Sequence, residues 1–401
     1  MLEESGSGML RLRNGQTVFD RFVEAGTKPI SRAEIARRTG LSKPTVNTLV
    51  VDLEAAGVVR CNPSVQPRGR IGRPAASYEL VPDAALVMGV DMGATKTIIG
   101  IADLLGDVIA TEQIQTPAHA AAAVNAVVNA TRRLLERLGD RGSRLEAACM
   151  GVPGVYRPSQ DRVEMAPNLP GFGDLPIRAE LSGRLGVEVT IENDVNLATV
   201  GEANAMEGEG ARDFAAISIG TGIGMGMVME GALYRGAHGA AGEIGSVKLP
   251  RVGGEVFHAL TLEDVASAPA IRKLFHRSVE AGWRTGLEGD ADVPAIFAAA
   301  ARGDQAATAA LDIAADAVAF ATSYFCWVND PTLVVFGGGV GSNPIFVDAV
   351  RARIGRYLTV IPEMAPSTLG GRAAFLGAIS TALAEVRGSL VAKRLGRRSE
   401  G

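Results

Sequence analysis

Three carboxylates and an amide lie close together in this chain, each near glycine. Ile191-Glu192-Asn193-Asp194 opens the stretch and Ile219-Gly220-Thr221-Gly222-Ile223-Gly224 follows. Gly239-Ala240-Ala241-Gly242-Glu243-Ile244-Gly245 comes next, and Leu262-Glu263 closes it. A carboxylate can accept from a hydroxyl or take its proton, and glycine lets a ligand approach bare backbone. Asp194 follows the apolar run Val187-Glu188-Val189-Thr190-Ile191, which predicts a place at a strand end, where open α/β sheets hold ligands. Gly220 to Gly224 joins the apolar runs Phe214–Ile219 and Met225–Met229. That reads as a tight hairpin whose free N–H groups could cradle a phosphate.

The elements that must position these groups can be read around them. Val87–Asp91 and Thr97–Ile101 are apolar strands flanking a second glycine turn, Gly93-Ala94-Thr95-Lys96. It is not a Walker loop, because no Gly-Lys-Ser opens a helix. Val108–Gln115 makes a third strand, Ala118–Leu138 a long helix, and Glu146–Val152 a buried strand leading into Gly154. Beyond Asp194 the order repeats: a helix over Val195–Met206, the hairpin, an apolar helix over Ala306–Val328, and a strand over Thr332–Phe336. That strand ends in Gly337-Gly338-Gly339-Val340, whose bare backbone leaves room for a flat ligand. Leu376–Val386 reads as a helix closing back on the first lobe, and the basic tail after Arg387 is expected to fray.

The first eighty residues differ in kind. Val18, Phe19, Phe22 and Val23 recur at helical spacing within Gln16–Ala25. Ser31-Arg32-Ala33-Glu34 has the form of a capping box opening a second helix that runs to Arg38, and Thr39-Gly40-Leu41 makes a turn. Ser42-Lys43-Pro44-Thr45 opens a third helix, whose inner stripe is Val46, Leu49, Val50 and Leu53 and which Gly57 ends. This is a helix-turn-helix, in which Lys43, Thr45 and Asn47 at the start of the third helix are placed to reach base edges. Val58–Arg60 and Ser77–Leu80 then read as two strands flanking a wing, with Arg68, Arg70 and Arg73 placed for phosphate or a narrow minor groove.

Charge follows the same division. Residues 1–80 carry 12 Lys and Arg against 8 Asp and Glu, a net +4, while the remainder carries −8. Only the head is therefore expected to meet an anionic partner. A chain of 401 residues, 47% hydrophobic, can bury the cores of two or three domains. Cys61, Cys149 and Cys326 are odd in number and widely spaced, as free thiols in a reducing cytosol would be. The acidic start Met1–Gly6 and the lack of long apolar runs predict a cytoplasmic protein with no membrane partner.

From about Val87 to the C-terminus the chain resembles the ROK family of sugar kinases and sugar-responsive repressors. The resemblance is carried by Asp91–Lys96, Gly151–Gly154, Ala166-Pro167-Asn168-Leu169-Pro170-Gly171, the four segments above, Ala266–Ala270 and Gly337–Gly339. It implies a two-lobed actin-like (ribonuclease H-like) α/β ATPase fold behind a winged helix-turn-helix. The expected domains are 1–82 for DNA, 83–192 for the first lobe with a helix over 372–390 packing back, and 193–371 for the second. By the same resemblance Asp194 would be the base of a kinase. Asn168, Asn193, Asp194, Glu243, Glu263 and Ser246 would contact a sugar. Asp91, beside a metal, with Gly93, Ala94, Thr95, Lys96, Thr221, Gly222, Gly338 and Gly339 would hold ATP.

One departure stands out. The family usually follows Gly-Glu-x-Gly with His and a cysteine cluster that binds structural zinc; here the corresponding residues are Ser246, Gly254, Val256 and Thr261. His258 and His238 each stand alone, so no zinc is expected, and the loop to Leu262 is expected to be held by packing alone. The expected function is a sugar-responsive regulator, a repressor of carbohydrate-metabolism genes, that binds operator DNA as a homodimer or dimer of dimers and requires no cofactor. The alternative is an ATP- and Mg²⁺-dependent hexose kinase carrying an added DNA-binding domain.

Overall fold

The computed structural model describes residues 2–62, 76–164, 170–206, 212–249 and 260–396. The head begins with α1 (Leu2–Ala25), followed by β1 (Ile30–Ser31), α2 (Arg32–Thr39) and α3 (Lys43–Ala55). β2 (Val59–Asn62) and β3 (Ser77–Leu80) complete a three-stranded sheet in the order β1-β3-β2. Ser31 caps α2 by accepting from the Glu34 amide, and Ser42 caps α3 by accepting from that of Thr45. The expected box at Ser31 is only half made, because the Glu34 carboxylate pairs with Arg37 and Arg38 one turn on. Val46, Leu49, Val50 and Leu53 are buried with Val18, Phe19 and Phe22, the helical stripes read from spacing, and with Ile35, while Val23 of the first stripe is half-buried. The wing segment with Arg68, Arg70 and Arg73 falls outside the described residues.

The first lobe holds β4 (Leu86–Met92), β5 (Lys96–Ala102), β6 (Val108–Gln115), α4 (Ala120–Arg137) and β7 (Leu145–Val152). After it come the hairpin β8 (Val155–Arg157) and β9 (Arg162–Glu164), α5 (Ile177–Leu185) and β10 (Glu188–Asn193). Its sheet runs β10-β7-β4-β5-β6, an antiparallel meander of three strands beside two parallel ones.

The second lobe repeats that design. α6 (Asp194–Ala205) leads to β11 (Phe214–Ile219), β12 (Ile223–Met229) and β13 (Ala232–Leu233). α7 (Leu262–Ala266), α8 (Ala268–Glu280), α9 (Val293–Ala301) and α10 (Gln305–Asn329) follow. β14 (Leu333–Gly337), α11 (Gly338–Gly341), α12 (Pro344–Ile354) and β15 (Glu363–Pro366) complete it. The sheet order β13-β12-β11-β14-β15 is again a meander joined to two parallel strands.

The last helix, α13 (Ala373–Gly396), crosses back to the first lobe and packs on β4 and β7. It does not stop near Arg387 and fray. Leu390, Val391 and Leu395 are buried, in one continuous core with Val18 and Phe19 of the head and Val87 and Ala102 of the first lobe. The apolar stripe of the tail found a partner in α1, and burial there outweighs the cost of ordering the tail. Gln16 Nε2 donates to the Arg387 carbonyl at 2.9 Å, Arg387 Nε to the Leu104 carbonyl at 3.0 Å, and Arg394 pairs with Glu146 at 2.7 Å. α10 and α13 are also apolar and long enough to span a bilayer by composition, contrary to the reading that no such stretch exists. In this fold both are core helices, with 72% and 50% of their most apolar windows buried.

Candidate functional site

A cavity of about 440 Å³ opens between the lobes. At its mouth β10 runs directly into α6. Asn193 caps the helix, its Oδ1 accepting from the Asn196 amide at 3.0 Å while its Nδ2 donates to the Gly154 carbonyl at 2.9 Å. The next residue, Asp194, is thereby aimed into the cavity, with Oδ1 accepting its neighbour's amide from Val195 at 2.9 Å. Burial pushes the Asp194 carboxyl up to about 7, and the negative charges of Asp91 and Glu243 add to the shift. Burial pushes Asp91 up to about 6, with Lys96 opposing, and Glu243 is raised by burial and then by Glu263. Asp91 and Asp194 thus line the cavity beside Lys96 and Glu202, while Glu243 acts on Asp194, and Glu263 on Glu243, without lining it.

Such an array suits a ligand rich in hydroxyls, whose O–H groups can donate to the acids. It also suits a hard divalent cation held by one or two carboxylates together with phosphate. Among the described residues no three acids, histidines or cysteines stand close enough to hold a metal by themselves. Asp91 with Asp194 fits a cation that arrives with a phosphate ligand.

The opposite wall is glycine backbone. Gly220 donates to the Gly222 carbonyl at 2.9 Å, which tightens the β11–β12 turn and leaves Thr221 at the cavity. Glu263 reaches under this turn from α7, its Oε2 accepting from the Ile223 amide at 2.9 Å, so one of its oxygens supports the hairpin. Gly338, at φ 76°, turns the chain from β14 into α11; a methyl there would lie 2.4 Å from the Ile219 carbonyl oxygen. Gly93, Lys96, Gly338 and Gly339 line the cavity, whereas Gly222 and the exposed Ala94 and Thr95 are not part of its lining.

Beyond Glu243, a single helical turn ends at the exposed Ser246. The stems of the following loop are tied by backbone, Leu249 donating to the Leu260 carbonyl and Leu262 to that of Val247. Packing alone therefore does not hold it. Thr261 caps α7 in a reciprocal box with Asp264, so its hydroxyl is already engaged. Gly254, Val256, His258 and the sugar candidate Asn168 lie outside the described residues.

On the head, Lys43 and Asn47 are exposed and Thr45 is half-buried, its hydroxyl 2.8 Å from that of Ser42. Asn47 is held by Arg32, whose guanidinium also bonds the Tyr78 hydroxyl and lies 4.6 Å from the centre of its ring. The sequence gives no signal for Arg32 beyond its place in the first turn of α2, because both of its partners are reached only in the folded head.

A model described as the ROK family matches residues 87–385. The chain belongs to the ROK family. Ahead of that domain, residues 21–68 match a MarR-family model, so this ROK protein carries a winged helix-turn-helix head. A ROK-family transcriptional regulator, described as a homolog of the E. coli MLC protein, superposes with a TM-score of 0.77 at 19% identity, over 96% of this chain and 99% of its own. The xylose repressor of Caldicellulosiruptor bescii is 24% identical over 90% of this chain and 93% of its own length. The glucokinase of Thermotoga maritima is 30% identical over 73% of this ROK protein and 96% of its own length. The structure of a ROK glucokinase from Streptomyces griseus with glucose and AMPPNP covers 74% of this chain and 99% of its own, at 28% identity and a TM-score of 0.61.

Besides Arg32, three polar side chains of the cavity wall were missed from the sequence: Glu202 on α6, Ser342 after α11 and Ser367 after β15. Ser342 follows directly on the glycine-rich run Gly337–Gly341, which was the available signal, whereas Glu202 and Ser367 lie away from the glycine motifs singled out.

Proposed function

We propose that this ROK protein is a sugar-responsive transcriptional regulator, expected to repress, with operator DNA on α3 and the wing and a sugar between Asp194, Glu243 and Glu263. The observation that carries the reading is α13. Ala373 and Ala374 at its start line the inter-lobe cavity, while Val391 and Leu395 near its end are buried in the core shared with the head. The head therefore rides with the first lobe, and a ligand that draws the lobes together moves the second lobe relative to the DNA-binding surface.

That motion matters for DNA if the second lobes pair two copies. Tyr324, Trp327 and Val328 at the end of α10 are 60%, 61% and 80% exposed beside an apolar groove. A homodimer joined there would change the spacing of its two heads as each cleft closes, and half-site spacing is what a two-fold reader measures. A dimer of dimers is compatible with the same face, and operator binding would place the protein in the cytoplasm. The full-length likeness to a regulator and to a xylose repressor supports this reading.

The second reading, hexose kinase, is favoured by Asp194 and by the likeness to glucokinases. Asp194, raised to about 7, could take the proton of a sugar hydroxyl, and Lys96 with the glycine turns could hold the phosphates. Bound ATP would supply the phosphoryl group and Mg²⁺ would offset its charge.

One paired experiment separates the readings: retention of self-selected operator duplexes with and without a panel of hexoses, pentoses and their phosphates, beside an ATP-consumption assay with the same panel. Release or recruitment by one sugar supports the regulator. Glu243→Ala should shift that sugar's midpoint at least about tenfold, a typical coupling magnitude. An unshifted midpoint would mean that the sugar sits elsewhere, and turnover of ATP without any DNA retention would favour the kinase.

A further inference from the structure

Residues 235–241 form a strap that leaves the second lobe and returns to it. Both ends are pinned to β12: the Tyr234 amide donates to the Met227 carbonyl at 2.8 Å, and the Met225 amide donates to the Gly242 carbonyl at 2.9 Å. The Ala241 amide closes the loop on the Arg235 carbonyl at 3.3 Å. Gly239, at φ 69°, turns the strap where a methyl would come within 3.4 Å of the Tyr156 carbonyl oxygen.

What the strap touches is the first lobe. Arg235 donates from Nε to Glu192 Oε2 on β10, and Arg157 of β8 donates to the His238 carbonyl. Arg157 is itself held by Glu164 of β9 at 2.8 Å. A cavity of about 940 Å³ lies among the hairpin, β10 and the strap. The strap therefore meets the first lobe through separate polar contacts, and opening of the cleft would part them.

Glu192 connects this clasp to the cleft. Only 8% of it is exposed, and its Oε1 accepts from the Asn193 amide at 3.0 Å and from Asn196 Nδ2 at 2.9 Å. Among the described residues, the cation paired with its other oxygen is Arg235. A buried carboxylate deprived of its cation is costly, and Glu192 would have to leave Asn193 and Asn196 to regain solvent. Asp194 stands two residues after Glu192, and Glu243 two residues after the strap. Neither Arg157 nor Arg235 lines the inter-lobe cavity, so both act on it through neighbours.

We propose that Arg235 is a positioning residue that acts across the lobes. Through Glu192 it fixes the Asn193–Asp194 end of the cleft, and with Arg157 it clasps the strap, and so Glu243, to the first lobe. The inference rests on the reading of the cleft as a sugar site and adds the device that sets its closed form.

The test uses the full chain, with amide hydrogen exchange to read the start of α6 and the strap, and calorimetry to read binding of D-glucose and D-xylose. Arg235→Ala should speed exchange at the start of α6 at least about tenfold and weaken the sugar that binds by about tenfold, the worth of one hydrogen bond to a charged group. Arg235→Lys keeps the charge and should restore most of both. Arg157→Ala should loosen the strap and weaken the sugar while leaving the start of α6 unchanged. Because Arg235 acts through the charge of Glu192, adding Arg235→Ala to Glu192→Gln should change exchange at α6 by less than about twofold. Unchanged exchange in Arg235→Ala overturns the proposal, as does an equal effect with and without Glu192→Gln, or unchanged affinity for a sugar that the unmodified chain binds. If the unmodified chain binds neither sugar, the sugar reading fails for both probes, while the exchange contrast still supports or overturns the clasp. Should Arg235→Ala not fold, Arg235→Gln, which keeps a donor without the charge, takes its place.

Discussion

Gly201 on α6 and Gly377 on α13 meet where the two helices cross, so closely that neither position has room for a side chain. A methyl at Gly377 would lie 1.8 Å from the Leu197 carbonyl oxygen and 3.0 Å from the Gly201 amide nitrogen. One at Gly201 would lie 2.3 Å from the Ala373 carbonyl oxygen. Because α6 packs on β11 and β12 of the second lobe and α13 on β4 and β7 of the first, this crossing joins the two lobes. Gly377→Ala should therefore force the helices apart and destabilise the protein by roughly 1–3 kcal/mol, the usual cost of overpacking. Gly388→Ala is the control: it lies on the same helix, exposed, with nothing within 4 Å of an added methyl. It should be stabilising by about 0.5–1 kcal/mol through helix propensity. Urea melts of the two variants read the contrast, and equal effects would mean that the crossing is not tight.

The cleft acids predict an unusual pH dependence. Asp194 and Asp91 are pushed up from 3.8 to about 7 and about 6, so the folded protein holds protons that the unfolded chain has released. Their contribution to stability is full below about pH 4 and is lost as pH rises through 6 to 7. Asp194→Asn removes that loss. In metal-free buffer its melting temperature should exceed that of the unmodified protein at pH 8 by on the order of 2–4 °C, with the gap closing by pH 5. A constant gap across that range would show Asp194 to be solvated.

Two kinds of arginine should behave differently on DNA. Arg70→Ala with Arg73→Ala should weaken binding to all duplexes and lower the salt slope by about 1 per lost phosphate contact. Arg32→Ala frees Asn47 from its guanidinium partner and should chiefly reduce discrimination between operator and random sequence. Fluorescence anisotropy over a salt series separates the two. Identical salt slopes in all variants would remove the wing from the interface.

Elemental analysis of the purified protein should find well below one zinc per chain. Thr261 and Ser246 offer hydroxyls where thiolate and imidazole would be needed, and Thr261 is already bonded to Asp264. One zinc per chain would refute this expectation.

Local chemistry decided what could be read from the sequence alone. Ser31 and Ser42 cap helices because their hydroxyls reach the next turn's amides. Val46, Leu49, Val50 and Leu53 mark an inner face by spacing, strand–glycine–strand patterns located Lys96 and Thr221 at turns, and the apolar run before Asp194 placed it at a strand end. All of these depend on neighbours within a few residues. Tertiary structure decided the rest. Leu390, Val391 and Leu395 sit in a stretch that reads as a basic tail, and only the arrival of α1, more than 360 residues earlier in the chain, gives them something to bury against. Glu202 reads as a solvated helix acid until folding brings Ser367 to one of its oxygens and leaves the other facing the cavity. Arg32 likewise meets Asn47 and Tyr78 only when the head closes. Burial and long-range pairing are properties of the packed chain, and no periodicity in the sequence carries them.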